Sequence, residues 1–121
     1  MTQDTPDVED KDLLFRDYFD RMQRRYLRSL VLPEVIEEHR LKPLGQHSEP
    51  LERLLHYFRE RPLAGKYAVL REAGSYRIVA LSGVRGVPPR PVGEERYATV
   101  EAAYHGIFLK RIEELMGDGL G

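Results

Sequence analysis

The sequence has no cysteine and no tryptophan. Without cysteine there can be no disulfides, no thiolate metal sites and no thiol nucleophile. No apolar run approaches the roughly 20 residues that cross a bilayer. The opening residues, Met1 to Asp12, are acidic and lack the apolar core of a secretory signal. These absences lead us to expect a soluble cytoplasmic protein with no membrane partner. An excess of charge of one sign is also missing, with 19 basic residues against 20 acidic ones and a formal net charge of −1. Phosphate contacts dominate the affinity of nucleic-acid binders, which therefore carry a basic surplus. The balance argues against that class.

Residues with chemistry are equally sparse. The four histidines are His39, His47, His56 and His105. None stands two, three or four positions from another, so no helical ligand pair and no zinc motif exists. Ser82 lacks the glycine two positions earlier that a nucleophile elbow requires. Gly83-Val84-Arg85-Gly86 runs into prolines instead of a helix, so it makes no phosphate loop. Glu37-Glu38 and Glu113-Glu114 fall on helix faces expected to be solvated. We therefore expect no catalytic, cofactor-binding or metal-ligating residue in this chain.

A scaffold is nevertheless legible. The 121 residues make one α+β domain, large enough to bury about two thirds of its unfolded surface without staples. Residues 1–10 are polar and acidic and are expected to be flexible until something docks on them. From about Lys11 the pattern is helical. Phe15, Tyr18, Phe19, Met22, Tyr26 and Leu30 form an apolar stripe. Arg21, Arg24, Arg25 and Arg28 form a second stripe on nearly the opposite side, at about 100° per residue. The arginine stripe is expected to be the wet face of the helix or a contact for an acidic protein partner.

Pro33 starts a second short helix carrying Val35, Ile36 and His39, and it ends before Lys42-Pro43. Ser48 or Glu49 with Pro50 announces a third, with Leu51, Leu54, Leu55 and Phe58 on one stripe, closed by Pro62. The helical part thus covers about 11–62. A strand–strand–loop–helix module follows over about 65–117. Alternation from Tyr67 and again from Tyr76 to Leu81, around Ala73-Gly74-Ser75, predicts a hairpin. Residues 83–93 are too rich in glycine and proline for a third long strand, and Tyr97 is expected to add a short one. Thr99 is the expected N-cap of the last helix, and Gly117 and Gly119 its end. The expected fold is N-terminal helices followed by a small antiparallel sheet packed on one long C-terminal helix.

The last helix has a wide apolar arc of Val100, Ala103, Tyr104, Ile107, Phe108, Ile112 and Leu115. Arg111 interrupts it, and His105 sits at its edge. A guanidinium on such a face needs an internal partner or a path to water, or the face belongs to a subunit interface, where Arg is enriched. Arg111, His105, Phe108, Tyr104 and, on the first helix, Tyr26 are the candidate interface residues.

Several segments, in consistent order, resemble the small subunit of N,N-dimethylformamidase, a bacterial amidohydrolase. They are Glu37-Glu38-His39, Lys42-Pro43-Leu44-Gly45, Leu51, Arg53, His56-Tyr57-Phe58-Arg59 and Pro62. They continue with Gly65-Lys66-Tyr67, Tyr76-Arg77-Ile78-Val79-Ala80, Glu95-Arg96-Tyr97, Thr99, Glu101-Ala102, His105 and Phe108-Leu109-Lys110-Arg111-Ile112-Glu113. The resemblance implies a non-catalytic subunit that stabilises a large partner. That partner would carry a mononuclear iron on tyrosine and glutamate side chains and hydrolyse a small amide to formate and an amine. It further implies no metal ligand in this chain and a heterotetramer or larger assembly.

The competing expectation is a small nucleic-acid-binding module. Its three-stranded sheet would read a groove through Tyr67, Arg71, Arg77, Arg85, Arg90 and Arg96. An independent small enzyme is the third and weakest reading.

Overall fold

The computed structural model describes residues 4–62 and 65–118, with side chains from Leu13 to Gly117. Helix α1 (Asp4–Arg28) is followed by α2 (Pro33–Leu41) and α3 (Glu49–Arg59). Strands β1 (Tyr67–Glu72), β2 (Ser75–Ala80) and β3 (Arg90–Pro91) form one antiparallel sheet in that order, and α4 (Val100–Asp118) closes the chain. The architecture is α+β, as the patterning indicated. Helix α1 starts at Asp4, ahead of the expected Lys11, and takes in residues 4–10 that the sequence pattern left as a leader. Pro6 is tolerated there because first-turn amides have no intrahelical partner, and acidic residues suit a helix N-terminus. Met1–Gln3 and the predicted stop at Gly119 lie outside the described residues.

Each boundary has a local cause. Pro33 opens α2 and Pro50 lies in the first turn of α3, where a missing N–H costs nothing. Ser48 precedes α3 but does not cap it with its own side chain. Its hydroxyl and amide instead donate to the Glu38 carboxylate at 2.6 and 2.7 Å, tying α2 to α3. The Thr99 hydroxyl accepts from the Ala102 amide at 3.1 Å and caps α4. In the hairpin Glu72 pairs with Ser75, leaving Ala73 and Gly74 as a two-residue turn with φ of 52° and 80°, the geometry that fits the strand twist.

The third strand differs from expectation. It is the two-residue Arg90–Pro91, inside the stretch expected to be loop, and Tyr97 contributes an isolated bridge to Tyr76. Pro91 is tolerated because its strand is at the sheet edge.

The main core is helical. Leu27 from α1, Val35, Leu51, Leu54, Tyr57 and Phe58 meet Phe108, Ile112 and Leu115 of α4. Ile78, Val79 and Ala80 are buried in β2, which packs with β1 against α4. Gly106 of α4 lies under Tyr97, where a Cβ would stand 2.5 Å from the phenol oxygen.

The largest departure concerns α1. Among its described side chains the last turns pack, through Leu27, which is 3% exposed. Arg24 and Arg28 are half-buried on that same side, while Phe15, Tyr18, Phe19, Met22 and Tyr26 are all exposed. Part of the side expected to be wet, Arg24 and Arg28, thus turns toward the body while Arg21 and Arg25 stay exposed, and of the apolar stripe Leu30 packs against the core while the rest faces solvent. Arg28 ties this side of α1 to α4. Arg28 donates from Nε to the Leu115 carbonyl at 2.9 Å, in the C-terminal part of α4 where a cation is favoured. Arg24 pairs with Asp20 at 3.3 Å.

Candidate functional site

Two features stand out, and they lie on different parts of the molecule. The first is the free face of α1. Its 25 residues extend roughly 37 Å at 1.5 Å per residue. Phe15 is 62% exposed and Phe19 65%. With Tyr18, Met22 and Tyr26 they leave on the order of 500 Å² of apolar side chain in water, near the upper range for a soluble monomer's largest patch. Tyr26, at the end of the stripe, also lines a groove with Gln23, Glu52 and Arg53.

The second is a cavity of about 300 Å³ between the α2–α3 connection, the entry to β1 and α4. Three of the candidate residues, Tyr104, Phe108 and Arg111, line it, and His105 stands behind them. The fold thus brings the four α4 candidates together and leaves Tyr26 apart. Arg111 has the internal partner that its position demanded. Its side chain is 11% exposed, pairs with Glu114 at 3.1 Å and lies 4.6 Å over the Tyr67 ring. The Tyr67 hydroxyl donates to the same carboxylate. Burial first, then that hydrogen bond, raises the Tyr67 pKa above its ordinary value.

At one side of the cavity three imidazoles gather, a cluster that linear spacing did not reveal. His39, 3% exposed, stacks on Phe108 with ring centroids 4.0 Å apart and on His105 at 5.2 Å. Its Nδ1 lies 2.9 Å from Nδ1 of His105. Burial, followed by the neighbouring His105 and His47, lowers the His39 pKa to about 4. Burial and then Arg40 lower that of His105. His47 donates from Nε2 to the Lys42 carbonyl at 2.6 Å, and its Nδ1 lies 3.4 Å from the Glu52 carboxylate. The sequence signal was faint: His39 falls one turn after buried Val35, on the inward side of α2. Arg59 and Lys66, also in the lining, fall within the segments that resemble the family but were not among the candidate site residues.

Among the described residues no group of three or more His, Cys, Asp or Glu could hold a metal ion. No described helix is long and apolar enough to cross a membrane. Two of the cations that a groove-reading sheet would use, Arg77 and Arg96, both pair with Glu72, at 3.5 and 3.1 Å. That pairing partly neutralises the sheet surface on which a nucleic-acid reading depends.

Known sequences settle the family. A family model described as the N,N-dimethylformamidase alpha subunit matches residues 14–120. The chain belongs to the N,N-dimethylformamidase alpha subunit family. It is 35% identical over 116 residues to the alpha subunit from Paracoccus aminophilus, covering 90% of this chain and 81% of that one. It is 32% identical over 123 residues to the alpha subunit from an Alcaligenes species, covering 96% and 92%. The match to the family includes both the exposed stripe of α1 and the whole of α4. A protein described as an alpha subunit has a partner subunit in a dimethylformamidase complex.

Proposed function

We propose that this chain is the non-catalytic subunit of a dimethylformamidase-like amidohydrolase and docks on the large subunit through the exposed face of α1. The observation that carries this reading is the orientation of that helix. Phe15, Tyr18, Phe19, Met22 and Tyr26 face water while Arg24 and Arg28 face the body. An isolated helix of this kind gains little from propensity alone, and most helical stability comes from packing its apolar side. A second chain would supply that packing. Aromatic and Met side chains are the types enriched at such interfaces.

In this reading the chemistry belongs to the large subunit. It would hold a mononuclear iron and hydrolyse N,N-dimethylformamide or a related small amide to formate and an amine. The family names support the assignment to that enzyme. The contribution of this chain is structural: a rigid α4–sheet body presents α1 as an arm, in an assembly of heterotetramer size or larger.

Co-expression with the large subunit tests the reading. The two chains are expected to co-purify in fixed stoichiometry with amide-hydrolysing activity that neither has alone. A stable chain that never co-purifies with the large subunit contradicts it.

A further inference from the structure

The cavity beside α4 has a lining of one charge sign. Arg59, Lys66 and Arg111 reach it, and no carboxylate lines it among the described residues. The charge of Arg111 is already met by Glu114. Lys66 donates from Nζ to the Arg59 carbonyl at 2.8 Å, which uses one of its three N–H bonds. Among the described residues neither Arg59 nor Lys66 has an acidic partner, so two cations stand together uncompensated at one cavity. The remaining wall is apolar and partly aromatic. Leu55, Phe58 and Ile107 line it beside the stacked His39–Phe108 pair. The Nδ1 of His39 is engaged with that of His105 at 2.9 Å. Small-molecule sites have this composition, with an apolar wall, a few convergent polar groups and a volume from roughly 300 Å³ upward.

We propose that this cavity binds a carboxylate carried on a flat apolar group, with Arg59 and Lys66 holding the anion and Leu55, Phe58 and Ile107 seating the rest. Guanidinium and ammonium donors match a carboxylate, and charge-assisted bonds of this kind are about twice as strong as neutral ones. An aromatic ring suits a lining that includes Phe58 and Phe108. The same chemistry could come from a free aromatic or branched acid, or from a carboxylate of the partner subunit. The site does not depend on the docking role of α1, since it lies on a different part of the molecule.

Benzoate titrated into the full-length chain at low ionic strength, followed by calorimetry, tests the site. Saturable binding is expected at millimolar concentration or below. Benzyl alcohol keeps the ring and lacks the charge, and it should bind at least about tenfold more weakly. The Arg59→Gln, Lys66→Gln double variant should lose at least about tenfold in benzoate affinity with an unchanged thermal melt. Equal affinity for benzoate and benzyl alcohol overturns the proposal without recourse to any variant. So does the absence of saturation by about 50 mM benzoate, or undiminished binding in a folded double variant. Repeating the titration on the chain assembled with its partner separates the sources. Retained binding makes the ligand a free acid. Exclusion of benzoate, together with a looser assembly in the double variant, makes it a carboxylate of the partner. Exclusion with an assembly just as tight in the double variant contradicts the proposal.

Discussion

The Nδ1 atoms of His39 and His105 lie 2.9 Å apart, so one nitrogen must donate and the other accept. Both rings cannot carry a proton on those atoms at once. The charged groups around the pair are Glu37, Glu38 and Arg40 of α2, with His47 beyond. The pair joins α2 to α4, and burial disfavours charge on both rings.

Acid should therefore loosen this junction. His39 titrates at 6.5 when unperturbed and at about 4 in the folded chain. Between those values the unfolded chain binds more protons, so stability rises with pH across that window. The contribution is complete above about pH 6.5 and is lost as pH falls through about 4. It amounts to at most about 3.5 kcal/mol at about 1.4 kcal/mol per pKa unit, and His105 acts in the same direction. Urea unfolding at pH 7.5 and pH 5 checks it, with the lower midpoint expected at pH 5. Replacing His39 itself with Phe should flatten most of the difference, because burial is the first cause of its lowered pKa.

Arg111 is held in the body by Glu114 and the Tyr67 ring. Arg111→Leu removes the pairing with Glu114 and the stack on Tyr67. The expected loss is about 1–2 kcal/mol, since Glu114 is half exposed and the pair is partly screened. A double-mutant cycle with Glu114→Gln should give a coupling of about 0.5–1 kcal/mol. A coupling of zero would return Arg111 to the list of residues awaiting a partner chain.

Gly106 is set by a neighbour. A Cβ there would stand 2.5 Å from the Tyr97 hydroxyl and 2.8 Å from its ring carbon. Gly106→Ala gains about 1 kcal/mol of helix propensity and loses about 1–3 kcal/mol by overpacking. Thermal melts should show a net decrease in Tm. Tyr97→Ala in the same chain should reverse the sign of the Gly106→Ala effect, because the obstruction is gone.

What the sequence showed and what it hid divide along one physical line. Local chemistry was legible: Pro33, Pro50, Thr99 and the Ala73-Gly74 turn mark boundaries because each acts within a few residues. Element types and the α+β order followed from periodicity. Which side of α1 turns inward was not legible. Periodicity finds an apolar stripe but does not say whether its cover is this chain or another. The Arg28 bond to the Leu115 carbonyl, which orients the helix, spans 87 residues. The imidazole cluster was hidden for the same reason, since its members come from α2, the following loop and α4. The third strand at Arg90–Pro91 was masked by the glycines and prolines around it, which suit an edge as well as a loop.

The central claim rests on the outward face of α1. Phe15→Ser with Phe19→Ser changes side chains that touch little of the body, so the melting temperature of the isolated chain should be unchanged. The direct measurement is the dissociation constant between this chain and the large subunit, wild type against that double variant. Buried aromatic anchors each contribute about 2 kcal/mol or more to an interface, so the account predicts a loss of about 100-fold or greater. An unchanged dissociation constant in a normally folded double variant would contradict it.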